Sequence, residues 1–224
     1  NNEYVLMAGR LSKNIISTIT LEKIAFKLLI EVYFTAVSKK QYNLDWDEEQ
    51  FSQYLVSLME YSSLRTKYQL FIRLEEKLHN KKNLPIGRNN PKKLPRIDIS
   101  IASWLFNKDI EKNFFFEAKN LCEKNWQKKT GSRVSAKYYL DRYVLTGIEN
   151  FRIGRYYDGA IIGYVLQGNT TKIVNEINNR ILRDNNTIKS VKKSNFITSS
   201  HNVYSSEHLS RSTKLEIKHI FLKF

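Results

Sequence analysis

Between Pro95 and Asn120 the chain reads PRIDISIASWLFNKDIEKNFFFEAKN, two runs of β-branched and aromatic residues on either side of the polar stretch NKDIEKN. Such side chains suit a pleated, half-buried surface, so each run reads as a strand and the polar stretch as the turn between them. Side chains alternate faces along a strand, which places Ile97, Ile99 and Ile101 on one face and Asp98 and Ser100 on the other. In the second run Phe114, Phe116 and Ala118 share a face, while Phe115, Glu117 and Lys119 share the opposite one. An antiparallel hairpin centred between Asn107 and Lys108 sets Asp98 opposite Glu117. Directly opposed Cβ atoms are about 5 Å apart, so two like charges there destabilise the sheet unless a cation neutralises them. Hard carboxylate oxygens suit Mg2+ or Mn2+, which are expected as the cofactor.

The flanking sequence supplies helices. From Ser12 to Lys39, Ile15, Ile16, Ile19, Ile24, Leu28, Val32 and Val37 recur at helical spacing, with Ser12 or Thr20 as caps. Asp45 to Asn80 reads as further helix with room for a break near Tyr61 to Arg65: Phe51, Leu55, Leu58 and Met59 form one stripe, and Leu64, Tyr68, Phe71, Leu74 and Leu78 continue it. Asn80 to Pro95, with prolines, Gly87 and asparagines among lysines, reads as a basic loop. Ser132 to Gly147 reads as helix, GAIIGYVLQG (Gly159 to Gly168) as a buried strand, and Lys172 to Arg183 as helix burying Ile173, Val174, Ile177 and Ile181. A Ser/Asn-rich linking region precedes a last strand from Lys214. The expectation is one α/β domain over residues 1–224: a mainly helical part (1–80), a catalytic core (95–168) and a C-terminal helix and strand (169–224).

Lysine and arginine number 37 against 22 acidic residues, a formal charge of +15. That excess attracts polyanions and makes nucleic acid the expected partner, DNA ahead of RNA; the same charge also suits a solvated surface. No run approaches the roughly 20 apolar residues of a membrane span, so no membrane association is expected. The single Cys122 forms no internal disulfide, and no Cys/His cluster has zinc spacing, which agrees with a reducing, cytoplasmic setting. No nucleophile elbow or Walker-type loop is present. His201, His208 and His219 are too scattered for a histidine catalytic site, and structural or surface roles are expected for them. Asn169-Thr170-Thr171 is read as a chance glycosylation pattern.

Pro95-Arg96-Ile97-Asp98 followed by Glu117-Ala118-Lys119 resembles the two signature pieces of the PD-(D/E)xK nuclease superfamily, the restriction-endonuclease-like fold. The resemblance covers roughly Glu31 to Gly168, and the words TGIENFRIGRYYDGAIIGYVLQG and YSSEHLSR are similar to those of bacterial nucleases of phage defence. It implies a restriction-endonuclease-like mixed sheet flanked by helices. It makes Asp98, Glu117 and Lys119 catalytic, with Asp98, Glu117 and the Ala118 backbone carbonyl as metal ligands and Lys119 polarising the attacking water. A further acid from the first helix falls to Glu31, ahead of Glu60.

Lys92, Lys93, Arg96, Arg142, Arg152 and Arg155 are the candidate nucleic-acid contacts. Tyr139 and Tyr143 on the following helix fit phosphate binding or base stacking, although aromatic stripes at helical spacing are more often core. The function these features imply is a Mg2+- or Mn2+-dependent endonuclease acting on DNA in antiviral defence. The alternative is a non-catalytic or partner-activated nucleic-acid-binding subunit, with a partner ATPase in a defence or repair complex. A homodimer suits double-strand cutting, because each chain carries one site.

Overall fold

The computed structural model of the protein describes residues 20–77, 96–106, 111–156, 159–197, 202–210 and 212–224. Helix α1 (Leu21–Lys39) starts at Thr20, whose side chain accepts from Lys23 N. Helix α2 (Glu48–Met59) opens on a capping box between Asp47 and Gln50. A short α3 (Ser63–Lys67) leads to β1 (Phe71–Lys77), β2 (Arg96–Ser103) and β3 (Lys112–Cys122). The small hairpin β4 (Trp126–Gln127) and β5 (Arg133–Val134) precedes α4 (Ala136–Arg142), which runs on through a π-helical segment (Tyr143–Ile148) into α5 (Glu149–Arg152). Strand β6 (Gly159–Gln167), helix α6 (Thr170–Ile181) and strands β7 (Thr187–Lys193), β8 (Val203–Ser210) and β9 (Thr213–Lys223) complete the order.

Among the described residues seven strands form one mixed sheet in the order β1-β2-β3-β6-β9-β8-β7. Its centre, β3, β6 and β9, is parallel, and both flanks are antiparallel. Parallel strands need both faces covered, and β6 is buried from Ala160 through Leu166 accordingly. On one face Phe116, Ala118, Ile162, Tyr164 and Ile220 share a core with Phe26 and Leu29 of α1 and Phe51 and Leu55 of α2. On the other, Phe115, Leu121, Ile161, Val165 and Phe221 share a core with Leu140, Tyr143, Ile148, Ile173 and Ile177. Each large apolar side chain so buried contributes about 1.5–3 kcal/mol relative to exposure. The sheet is therefore clamped from both sides, and a polar residue in the middle of β3 has to be accommodated where its parity puts it. Gly163 permits the close approach of neighbours, since a Cβ there would stand 2.6 Å from Leu121 Cδ1 and 2.7 Å from Phe221 Cδ1.

The expected α/β class, the helical N-terminal part, the β2–β3 pairing, the buried β6 and all four buried positions of α6 are present. The expected helix from Asp45 to Asn80 is corrected. After α3 the chain turns into β1, because pairing with β2 through Leu74↔Ile99 and its neighbours satisfies the backbone and outweighs the helical preference of Glu75, Glu76 and Lys77. The Ser/Asn-rich linking region holds β7 and β8, whose polar residues suit the antiparallel, partly solvated flank of the sheet. The helix expected from Ser132 starts at Ala136, capped by Ser135, because Arg133 and Val134 pair with β4. Face alternation in β2 breaks at Asp98: Ile99 and Ile101 lie in the core under α1 and α2, whereas Ile97 lies in the opposite one. Opposite that point Glu75 adopts φ +50°, and the β1–β2 ladder skips a pair. Asn169 is a helix cap, its Oδ1 accepting from Thr171 N and Lys172 N. The basic loop from Asn80 and the hairpin turn at Asn107 and Lys108 lie outside the described residues, as do Ile15, Ile16, Ile19 and Leu78.

Candidate active site

The β2–β3 ladder pairs Ile101 with Phe114, Ser100 with Phe115 and Ile99 with Phe116. This is the register that sets Asp98 level with Glu117, and the ladder stops one residue short of them. There the carboxylate of Asp98 takes over from the backbone: its Oδ2 accepts from Ala118 N at 2.6 Å. Asp98 is partly buried, whereas Glu117 and Lys119 are 5% and 4% exposed. Lys119 Nζ donates to Glu117 Oε1 and, at 2.8 Å, to Ala118 O. Glu117 Oε2 is buried and has no hydrogen-bond partner among the described residues. The π-helical segment covers this group, with Gly147 placed so that a Cβ would lie 3.9 Å from Lys119 Cγ and 3.7 Å from Ile161. Both backbone polar groups of Ala118 are thus held, the N–H by Asp98 and the carbonyl by Lys119.

The electrostatics follow from burial. Desolvation pushes the Glu117 carboxyl up to about 7, the Asp98 charge adds to the rise, and the Lys119 ammonium and the nearby Tyr156 hydroxyl oppose it. Burial also raises Asp98; Lys119 and the Ala118 N–H pull it down, and the charges of Glu48 and Glu75 push it up again. The Tyr156 phenol is raised by burial and then by Glu117 and Asp98, and its hydroxyl donates to Arg96 O at 2.9 Å.

Glu48, Glu75 and Tyr156 therefore belong to the surroundings of the site, although no motif marks them in the sequence. Glu48 sits among the acids of a capping box, and Glu75 lies in a run that reads as helix. Glu48 Oε1 accepts from Asn120 N at 3.3 Å and from Arg142 Nη1 at 3.0 Å. The helix acid whose charge acts on Asp98 is thus Glu48 of α2. Glu31, expected in that role, is exposed on α1 and its Oε1 accepts from Ser62 Oγ at 2.6 Å, while Glu60 pairs with Arg65 at 3.0 Å.

Of the expected nucleic-acid contacts, Lys92 and Lys93 lie outside the described residues. Arg96 is exposed and pairs with Glu75 at 3.2 Å. Arg142 is committed to Glu48 and lies 5.8 Å over the Tyr138 ring. Arg152 forms two hydrogen bonds to Glu149, at 2.7 and 2.6 Å, and Arg155 donates to Asn150 at 3.1 Å. Tyr143 is core, and Gln167 accepts from Lys124 N as a loop tie. His208 and His219 are buried and share Ser206 Oγ, and His219 Nδ1 meets Tyr143 OH at 2.8 Å. Their role is structural; His201 lies outside the described residues.

Among the described residues no three His, Cys, Asp or Glu side chains converge to hold a metal. The donor set is two carboxylates of raised pKa, one of which, Glu117, has a buried oxygen without a hydrogen bond among the described residues, and the Ala118 carbonyl. That set fits Mg2+ or Mn2+, which take one or two carboxylates and fill the remaining positions with water or phosphate oxygens. Among the described residues no helix is long and apolar enough to cross a membrane. No protein-family model matches this chain, and no curated protein or solved structure matches it.

Proposed function

We propose that the protein is a metal-dependent endonuclease that hydrolyses phosphodiester bonds of DNA with PD-(D/E)xK-type residues. The observation that carries this reading is the convergence of Asp98, Glu117 and Lys119 on the Ala118 backbone, with Glu117 Oε2 buried and making no hydrogen bond among the described residues. An orphaned buried carboxylate oxygen costs free energy unless the site has a use for it. Asp98, Glu117 and Ala118 O are the groups that would hold Mg2+ or Mn2+. Such an ion supplies a more acidic attacking water and charge stabilisation at the scissile phosphate. Glu117 must be ionised for this role, so a proton and the cation compete for its oxygens. Lys119 is held at the site by its carbonyl contact, and its ammonium adds positive charge beside the reacting phosphate without coordinating anything. The excess of basic residues draws the polyanionic substrate to the protein.

Incubation of supercoiled plasmid with the purified chain in Mg2+, Mn2+ or EDTA tests the reading, with Lys119→Ala as control for contaminating nucleases. Metal-dependent nicking or linearisation that disappears in the variant supports it; cutting that survives in the variant overturns the site. One observation favours a second reading, a non-catalytic or partner-activated nucleic-acid-binding subunit: Lys119 occupies both Glu117 Oε1 and Ala118 O. That protein would bind DNA with strong salt dependence and leave it uncut.

A further inference from the structure

The β4–β5 hairpin, beyond the end of β3, carries a pocket of about 460 Å³ lined by Asn125, Trp126, Gln127, Arg133, Val134 and Ser135. Its volume lies within the range of sites that take small organic groups, roughly 300–1,000 Å³. Three features of its wall define the chemistry it can receive.

The first is a flat aromatic surface. Trp126 is partly exposed and packs against the cluster of Cys122, Val134 and Ala136. Its Nε1 is buried without a hydrogen-bond partner among the described residues, so apolar packing rather than a polar tether holds the ring. The second is a pair of amides whose orientation the backbone dictates. Asn125 Oδ1 accepts from Ala136 N at 2.9 Å, which turns its amide nitrogen away from that contact as a donor. Gln127 Nε2 donates to Gly131 O at 2.8 Å, which leaves its amide oxygen as an acceptor. One donor and one acceptor in the same wall match the hydrogen-bonding edge of a nucleobase, which carries both. The third is charge. Lys124, Lys128, Lys129, Arg133 and Lys137 fall in residues 124–140, which hold no acidic residue, and Asp45 is the acid that meets them, its Oδ2 accepting from Lys129 N at 2.9 Å.

Stacking surface, amide edge and cations together are what proteins use to hold an unpaired nucleotide. A paired base inside a duplex offers neither its face nor its pairing edge. We propose that this pocket takes one unpaired nucleobase of a DNA strand that also reaches the Asp98–Glu117 site. The proposal rests on the nuclease reading and names its substrate class: DNA with a single-stranded element next to the cut. The layout suits it. Lys119 and Asn125 are six residues apart in the chain, at most ~20 Å when extended, the reach of a few nucleotides.

The test is a binding measurement in EDTA, so that cutting plays no part. Fluorescence anisotropy compares a labelled oligodeoxynucleotide with the same strand made abasic at successive single positions, which keeps the number of phosphates constant. The full strand should bind about tenfold more tightly than its weakest abasic counterpart, the size of one stacked base. Trp126→Leu and Gln127→Ala should each bring that ratio toward one, with folding checked by circular dichroism. Arg133→Ala should weaken both strands alike and leave the ratio in place. Equal affinity for intact and abasic strands overturns the proposal, as does a ratio that both folded pocket variants retain. The plasmid assay reads the other claim separately: a base-dependent ratio without metal-dependent cutting keeps the pocket and removes the nuclease, and cutting without the ratio does the reverse.

Discussion

Asp98 Oδ2 stands 2.6 Å from Ala118 N across the β2–β3 pair. The carboxylate completes the hydrogen bonding of a strand at the point where the ladder stops, and it holds Ala118, the residue flanked by Glu117 and Lys119. Position and charge at Asp98 are therefore separable properties.

Asp98→Asn keeps an oxygen that accepts from Ala118 N and removes the charge, whereas Asp98→Ala removes both. The asparagine variant should unfold in urea near the wild-type midpoint and lose metal-dependent cleavage at least a hundredfold. The alanine variant should lose cleavage and also about 1–3 kcal/mol of stability, the cost of an unmet backbone donor. Equal unfolding midpoints for the two variants would show that the Ala118 contact has no structural weight.

Lys119 is the cation that now neutralises the pair of carboxylates. Lys119→Met leaves Asp98 and Glu117 without it, and removing one member of a buried ion pair costs about 3–5 kcal/mol. At pH 8 the variant should melt well below wild type. Millimolar Mg2+ should recover more of its melting temperature than it adds to wild type, because binding to the folded state stabilises by mass action. Scanning fluorimetry with and without Mg2+ reads this directly, and identical Mg2+ shifts in both proteins would count against a cation site at these carboxylates.

The pH dependence of stability has two opposed parts. Glu117 holds its proton to about 7 in the folded protein and to about 4.5 unfolded, so its contribution is full below pH 4.5 and is lost as the pH rises through 7. His208 and His219 are lowered by burial, His219 to about 3, so their contribution is present above 6.5 and is lost as the pH falls. Comparison with Glu117→Gln isolates the first part. Between pH 5 and 8 wild type should lose roughly 2–3 kcal/mol relative to the variant; parallel stability curves would place the Glu117 pKa near that of an ordinary carboxyl.

Tyr143 OH, His219, Ser206 and His208 form a buried hydrogen-bonded chain that ties the π-helical segment to β8 and β9. Tyr143→Phe leaves His219 Nδ1 unmet and should cost about 1–3 kcal/mol in urea denaturation. Amide exchange in residues 143–148 should accelerate more than in β6, since the substitution loosens the segment at its first residue. Unchanged exchange there would assign the chain to the sheet alone.

Much of the site is legible in one short stretch. Period-two alternation and a polar turn are enough to set the Ile99–Phe116 register and to bring Asp98 level with Glu117, because side-chain parity and loop length are properties of the local chain. Glu48 and Glu75 could not be found in this way. Glu48 reaches Asn120 from a helix 72 residues earlier, and no spacing rule spans that separation. Glu75 lies in FIRLEEK, where helical and strand periods compete and pairing with β2 decides.

The sequence by itself determined the α/β class, the buried stripes of α1, α2 and α6, the central strand β6, and the pairing that aligns the two carboxylates. Each follows from periodicity, which the chain carries locally. Tertiary structure alone decided that β1, β7 and β8 are strands, that Ile97 changes sides at Asp98, that Arg142 and Arg152 are bound to carboxylates, and that Glu117 and Lys119 are buried against each other. These outcomes depend on which segments meet and how much water they exclude. Burial in particular turns an ordinary glutamate into one that holds its proton to about 7.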